Sequence, residues 1–271
     1  MSTTVATRPV LRPAAALLAG AAVLVQMAFP FTDGGNLPLT AASVLLLSAA
    51  ALLDVAGTRG PAAAGALLVV AGGGGLVAEA VGVRTGFPFG GYDYTGTLGL
   101  EVLGVPALVP LAWVMMAWPA LVVARWLTAG RSRWLTALVG AWALTAWDVF
   151  LDPQMVDLGH WAWDDPHPAL PGVEGIPLTN FAGWLLVSLV LVAVLDRLVP
   201  LVPRVPAGGP DLRTDLRTDA VPLAVYLWTY FSSVLAHLAF FGRPPVALVG
   251  GLVMGLVAVP LVVVLLRRAR R

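Results

Sequence analysis

Three acidic side chains lie in stretches that otherwise read as hydrocarbon. Asp148 and Asp152 fall in "WDVFLDP" (Trp147–Pro153), and Glu79 falls in "GLVAEAVG" (Gly75–Gly82). Aspartates four residues apart stack on one face of a helix. Two carboxyls that close in apolar surroundings do not both ionise readily, so the pair is expected to keep a proton. A neutral carboxylic acid in an apolar site is a proton donor. The ordinary alternative is that both aspartates sit at a water interface, with Asp152 capping the turn before Pro153. For Glu79 it is a structural hydrogen bond to a neighbouring helix. Acids at membrane depth are costly and mark function by default.

The aromatic residues bear on the same question. Nine of the ten tryptophans fall between residues 113 and 184. Trp126 and Trp134 flank one loop and Trp161 and Trp163 another, as interfacial belts do. Trp113, Trp142, Trp147 and Trp184 fit a belt less well. With Phe87, Phe89, Tyr92 and Tyr94 they either pack or line a slot for a flat conjugated chain, where aromatic faces also stabilise a developing carbocation. The run Gly72–Gly75 permits close approach of another helix.

Other chemistries find less support. His160, His167 and His237 lack metal-ligand spacing, and no metal site is expected. Ser232 and Ser233 near His237 have no third member of a triad. There is no cysteine, hence no disulfide and no thiolate ligand or nucleophile. All sixteen basic residues are arginine, which removes Schiff-base chemistry at lysine. Asp148 and Asp152 also form a D-x-x-x-D, the magnesium and diphosphate clamp of intramembrane prenyltransferases. That reading wants a second acidic motif and basic residues for the phosphates, and the loop after Asp152 contains no basic residue.

The elements that must position these groups follow from composition. Of 271 residues 59% are apolar and 11% charged, with a formal net charge of +1, which argues against a soluble domain and against nucleic acid as a partner. Apolar runs of spanning length occur at about 13–29, 38–56, 61–81, 104–124, 133–151, 177–197, 220–240 and 245–266. With the N-terminus inside, only Arg84 and Arg243 fall in outer loops, and the other arginines fall inside. The expectation is an all-α, polytopic helical bundle of eight transmembrane helices in the cell membrane. It forms a single transmembrane domain over 1–271, surrounded by lipid, with both termini cytoplasmic. The first run lacks a small-x-small cleavage site before Pro30 and is read as a retained span. Residues 198–219, with the near-repeat "DLRTDLRTD", read as a cytoplasmic linker loop. The outer loops 82–103 and 152–176 are rich in aromatics, Gly and Pro, and no strands are expected in the chain.

Five segments then carry a resemblance: "TGFPFGGYDYTGTLG" (Thr85–Gly99), "GVPALVPLAWVMMAWPA" (Gly104–Ala120), "WDVFLDPQMV" (Trp147–Val156), "GHWAW" (Gly159–Trp163) and "GIPLTNFAGW" (Gly175–Trp184). Together they resemble the carotenoid-biosynthesis membrane family that includes CruF-type carotenoid 1,2-hydratases and bisanhydrobacterioruberin hydratases. One departure is Leu100-Glu101, where a proline is expected after Gly99. The resemblance makes residues 75–195 a motif-bearing catalytic core. It implies addition of water to the C1=C2 double bond of an acyclic (ψ) carotenoid end group, giving a tertiary alcohol. The enzyme would be a cofactor-independent hydro-lyase acting on a linear C40 or C50 carotenoid. Association with other carotenoid-pathway enzymes is left open.

Protonation of such an alkene at C2 places positive charge on C1, which water captures. Asp148, Asp152 and Glu79 would supply the acid, its counter-charge and the base that orients water. Asp148, the deeper of the pair, is favoured as donor. Asn180 and Tyr94 would hold water. Two rivals remain at this point: the prenyltransferase, and a non-enzymatic carotenoid-binding or transport protein using the same slot.

Overall fold

The computed structural model describes residues 10–32, 37–129, 131–201 and 212–269. Helix α1 (Leu11–Ala28) closes in a 3-10 turn, and α2 (Leu37–Arg59) follows. The third span is α3 (Pro61–Leu67), a π-helical turn (Leu68–Gly73) and α4 (Gly74–Thr85) in succession. Then come α5 (Leu108–Thr128), α6 (Arg133–Asp157), α7 (Leu178–Leu198), α8 (Leu212–Ala239) and α9 (Pro244–Ala269). Among the described residues, eight helical segments are long and apolar enough to cross a membrane. They match the eight runs read from the sequence, and the protein is an all-α polytopic membrane bundle.

Two boundaries differ from expectation. Helix α6 does not stop at 151 but passes through Pro153 to Asp157. A proline in a spanning helix is tolerated where neighbouring groups re-satisfy the freed backbone. The expected linker 198–219 falls partly outside the described residues, at 202–211. From Leu212 its polar repeat is already the start of α8 rather than a loop.

Burial separates central from peripheral spans. In the apolar 18-residue stretch of each span it rises from 11% of residues in the first to 61% in α6 and 72% in α5. Helix α5 packs against α2, α6 and α8, while α6 runs along α7 and α9. The glycine run works as a packing surface: a Cβ on Gly75 would lie 2.6 Å from Trp113 Cγ, and one on Gly74 would lie 2.6 Å from a Leu191 methyl. Small residues let helices approach this closely in a membrane.

The end of the bundle rich in arginine, expected from its charge to face inward and here called the inner end, is held by ion pairs. Arg59 donates to Asp219 at 2.6 Å, and the Trp126 indole N–H donates to the other oxygen of that carboxylate at 2.6 Å. Arg125 donates to Asp196 at 2.8 Å and to the Val199 carbonyl at 2.7 Å. Trp118 donates to Asp54 at 2.8 Å, and the Arg59 guanidinium lies over the Trp118 ring, 5.5 Å from its centroid.

The opposite end, here called the outer end, is closed by a small cap. Contrary to expectation it contains strands, in three antiparallel pairs: β1 (Tyr92–Tyr94) with β4 (Trp161–Trp163), β2 (Glu101–Val102) with β3 (Val105–Pro106), and β5 (Ala169–Leu170) with β6 (Val173–Pro177). In the first pair Tyr92 faces Trp163 and Tyr94 faces Trp161. The pairing is extended by Thr95 N–H to the His160 carbonyl at 3.1 Å and Asp164 N–H to the Gly91 carbonyl at 3.0 Å. Two loops far apart in sequence are thereby joined over the outer ends of α4 to α7.

Candidate active site

Beneath the cap lies an apolar cavity, lined by residues of the spanning helices and of the cap. Its acidic wall comes from α6. Asp148 and Asp152 occupy consecutive turns and are 0% and 2% exposed. Asn180, in the first turn of α7, faces them. Its side-chain nitrogen donates to Asp148 Oδ2 at 2.9 Å and to Asp152 Oδ2 at 2.5 Å. The Trp161 indole of β4 donates to Asp152 Oδ1 at 3.2 Å, while Asp148 Oδ1 has no hydrogen-bond partner among the described residues. One amide nitrogen reaching both carboxyls holds them side by side. At an effective dielectric of about 20, two full negative charges about 4 Å apart repel by about 4 kcal/mol. No ion pair among the described residues involves either aspartate. A proton on the pair relieves the repulsion that a cation would otherwise have to offset.

Glu79, from α4, is differently served. Its Oε2 accepts from the hydroxyls of Tyr92 at 2.5 Å and Tyr94 at 3.0 Å, and its Oε1 accepts from the Trp113 indole at 3.1 Å. Burial, with the Glu79 charge beside them, pushes both phenols well above their ordinary range, so both stay protonated as donors. Three donors suit an acceptor-only carboxylate. Gly75, one turn before Glu79, is what lets Trp113 lie against α4 closely enough to make its bond.

The remaining walls are aromatic. Trp113 and Trp184 stack with centroids 4.0 Å apart and planes 10° from parallel, and Trp147 meets Trp184 edge-on at 6.1 Å. Tyr94 stands edge-on to Trp161 at 5.7 Å. Trp163 ties its indole to the Phe89 carbonyl at 3.0 Å, fixing the ring beside Tyr92. His160, behind β4, is 3% exposed, and burial pushes its imidazole below the ordinary range. Its Nδ1 lies 2.8 Å from the Thr97 hydroxyl.

Of the residues singled out from the sequence, Glu79, Phe89, Tyr92, Tyr94, Trp113, Trp147, Asp152, Asn180 and Trp184 line the cavity. Asp148 is not among the lining residues and stands behind Asn180 and Asp152. Phe87 is 65% exposed and outside the cavity, because its neighbour Phe89 takes the inward position. Trp142 is also outside, bonded to the Val253 carbonyl. His237 is a core residue, its Nε2 at 3.0 Å from the Phe150 carbonyl.

Trp161 and Trp163, read as belt residues, are instead cavity residues. The signal that would have found them is the alternation "YDY" and "WAW", two aromatic-x-aromatic triplets that pair as strands. Among the described residues no three His, Asp or Glu side chains come together as a metal site.

The comparisons with known proteins bear on this geometry. A family model described as carotenoid biosynthesis protein matches residues 39–259, which include the cap, the cavity and all three acids. The chain belongs to that family. A curated relative, bisanhydrobacterioruberin hydratase of Haloarcula japonica, is 34% identical over 121 residues. That match covers 44% of this chain and 40% of the relative's length, so the chain spans less than half of the curated relative it matches. No solved structure matches. The carotenoid biosynthesis family and an aromatic cavity within membrane helices fit the same apolar class of ligand.

Proposed function

We propose that this membrane protein is a carotenoid hydratase that adds water across the C1=C2 double bond of an acyclic ψ end group. The observation that carries the reading is the acid pair, with no cation paired to it among the described residues, Asp152 in the wall of an aromatic cavity and Asp148 behind it, both in a spanning helix. The relative named as a hydratase supports the reaction class. Ionic clamping of a diphosphate would call for arginines at the cavity, and the described ion pairs lie elsewhere.

In this reading Asp152, which borders the cavity, delivers its proton to C2, and Asp148 is the neighbour that keeps a proton on the pair. That reverses the order suggested by depth alone. The electron pair of the alkene forms the new C–H bond and leaves C1 as a tertiary cation. The stacked Trp113 and Trp184, edge-on Trp147, and the Glu79 carboxylate lie around the cavity to stabilise that charge. Water attacks C1, and its surplus proton passes to the carboxylate left on the pair, so the acid is restored and one water is consumed. Glu79 Oε1 accepts a single hydrogen bond and has a lone pair left to orient that water. Asn180 holds both carboxyls in place throughout. The chemistry calls for no redox cofactor. The substrate is a linear C40 or C50 carotenoid drawn from the lipid of the cell membrane.

The test is expression in cells that accumulate an acyclic ψ-ended carotenoid, with pigments examined by mass. A product heavier by one water is expected from the wild type. If no ψ-ended substrate is hydrated while the protein is present in the membrane, the reading fails.

A further inference from the structure

The cavity walls are not equally closed. On the cap side Phe89, Tyr92, Leu98, Trp161 and Trp163 are buried, and Tyr94 alone of the cap residues lining the cavity is half-buried. The other half-buried lining residues are Thr40 of α2, Leu108, Val109 and Ala112 of α5, and Leu151 of α6. All five lie within spanning segments, in the outer turns of their helices. Four are apolar, and the hydroxyl oxygen of Thr40 is itself buried, so the methyl is what remains for the opening. The cavity is therefore shut towards outer water by paired strands and tryptophans, and thin towards the hydrocarbon between α2, α5 and α6.

We infer that this side is a lipid-facing portal through which a carotenoid inserts one end, its polyene remaining in the bilayer. This rests on the proposed substrate class and deepens it. A rigid conjugated rod of C40 length cannot coil into a cavity beneath the cap that is already walled by stacked indoles. The enclosed part is the terminal unit, and the rest leaves where the wall is thin and apolar. Three consequences follow. The site reads the end group and not the chain length. It handles one end per binding event, and a carotenoid with two ψ ends must leave and return reversed. The far end group, cyclic or acyclic, is not inspected.

The chain contains no cysteine, so a single one can be placed anywhere and labelled without background. Thr40→Cys and Ala112→Cys put a thiol at the portal. Leu248→Cys, in the first turns of α9 and 64% exposed, puts one at similar depth away from it. Each variant is made in membranes with and without a ψ-ended carotenoid, and treated with a lipid-soluble maleimide. Carotenoid is expected to slow labelling at positions 40 and 112 severalfold and to leave position 248 unchanged. Equal labelling at 40 and 112 with and without carotenoid, in protein that co-purifies with the pigment, overturns the portal. Protection at all three positions overturns it too, since the pigment then coats the protein generally. The readout needs no turnover. Protection without any hydrated product would sink the hydratase reading and leave the portal standing, whereas hydration without protection would do the reverse.

Discussion

The two ends of this bundle solve the same problem in opposite ways. At each end three carboxyls are taken out of water: Asp54, Asp196 and Asp219 inside, Glu79, Asp148 and Asp152 outside. At each end tryptophan indoles donate to them, Trp118 and Trp126 inside, Trp113 and Trp161 outside. The difference is the cation. Inside, Arg59 and Arg125 meet two of the three, Asp219 and Asp196, at 2.6 and 2.8 Å, and Asp54 accepts from the Trp118 indole over which Arg59 lies. Outside, the donors are an amide, two phenols and two indoles, all neutral. A paired, hydrogen-bonded acid is a tie between helices; two crowded acids left without a cation favour keeping a proton, which in the proposed reaction is the one delivered. Residue type alone does not separate structural from reactive acids in a membrane. The neighbouring charge does.

The largest effect that would break this comparison is on rate. Asp152→Asn removes the acid nearest the cavity while keeping its shape and its place beside Asn180. Hydration is expected to fall by about 10²- to 10⁴-fold, the usual contribution of general acid catalysis. Asp148→Asn should fall in the same range, because the pair no longer shares a proton. Neither change should lower the thermal stability of the protein in detergent, since each relieves a crowded pair of buried carboxyls. Product analysis and a melting curve on the same preparation check both halves. Full activity in both variants would show that the pair is merely buried.

The inner cluster should answer in the other currency. Asp219→Asn leaves Arg59 buried without its countercharge, and breaking a buried pair from one side costs about 3–5 kcal/mol. The expected result is a sharply lower melting temperature and poorer yield, with turnover per folded molecule unchanged. A variant that stays stable but loses hydration would place chemistry at the inner end and dissolve the distinction.

How much of this was legible beforehand differs between the bundle and the cap. The eight spans are written in runs of about twenty apolar residues, so the helices follow from length, and the arginines mark one end of the bundle. The acid pair was legible from its spacing, since four residues on a helix return to the same face. Which aspartate borders the cavity was not, because depth along a helix does not say what the facing helix leaves open. The cap was missed for a physical reason. Strands of two to five residues among glycines and prolines carry too little periodicity to register. Trp161 therefore looked like an interfacial anchor, and only the pairing of β1 with β4 brings its indole to Asp152. Phe87 and Phe89 share a composition and differ in outcome because one turn sends a single ring inward.

The smallest effect is the one that measures what a neutral donor is worth to the acid pair. Trp161→Phe removes a single N–H donor from Asp152 Oδ1 and keeps an aromatic ring facing Tyr94. A hydrogen bond to a charged or titrating group contributes about 1.5–3 kcal/mol. The bond here is long for its type at 3.2 Å, so the low end applies, and about 1.4 kcal/mol corresponds to tenfold in rate. The proton must leave Asp152 in the transition state, and the indole stabilises the carboxylate that results. The loss should therefore appear in kcat, with the apparent affinity for carotenoid little changed. Trp161→Leu loses the ring as well and should weaken both. If Trp161→Phe instead raised only the apparent KM, the indole would be a packing residue, and Asn180 would be left as the donor that holds the pair.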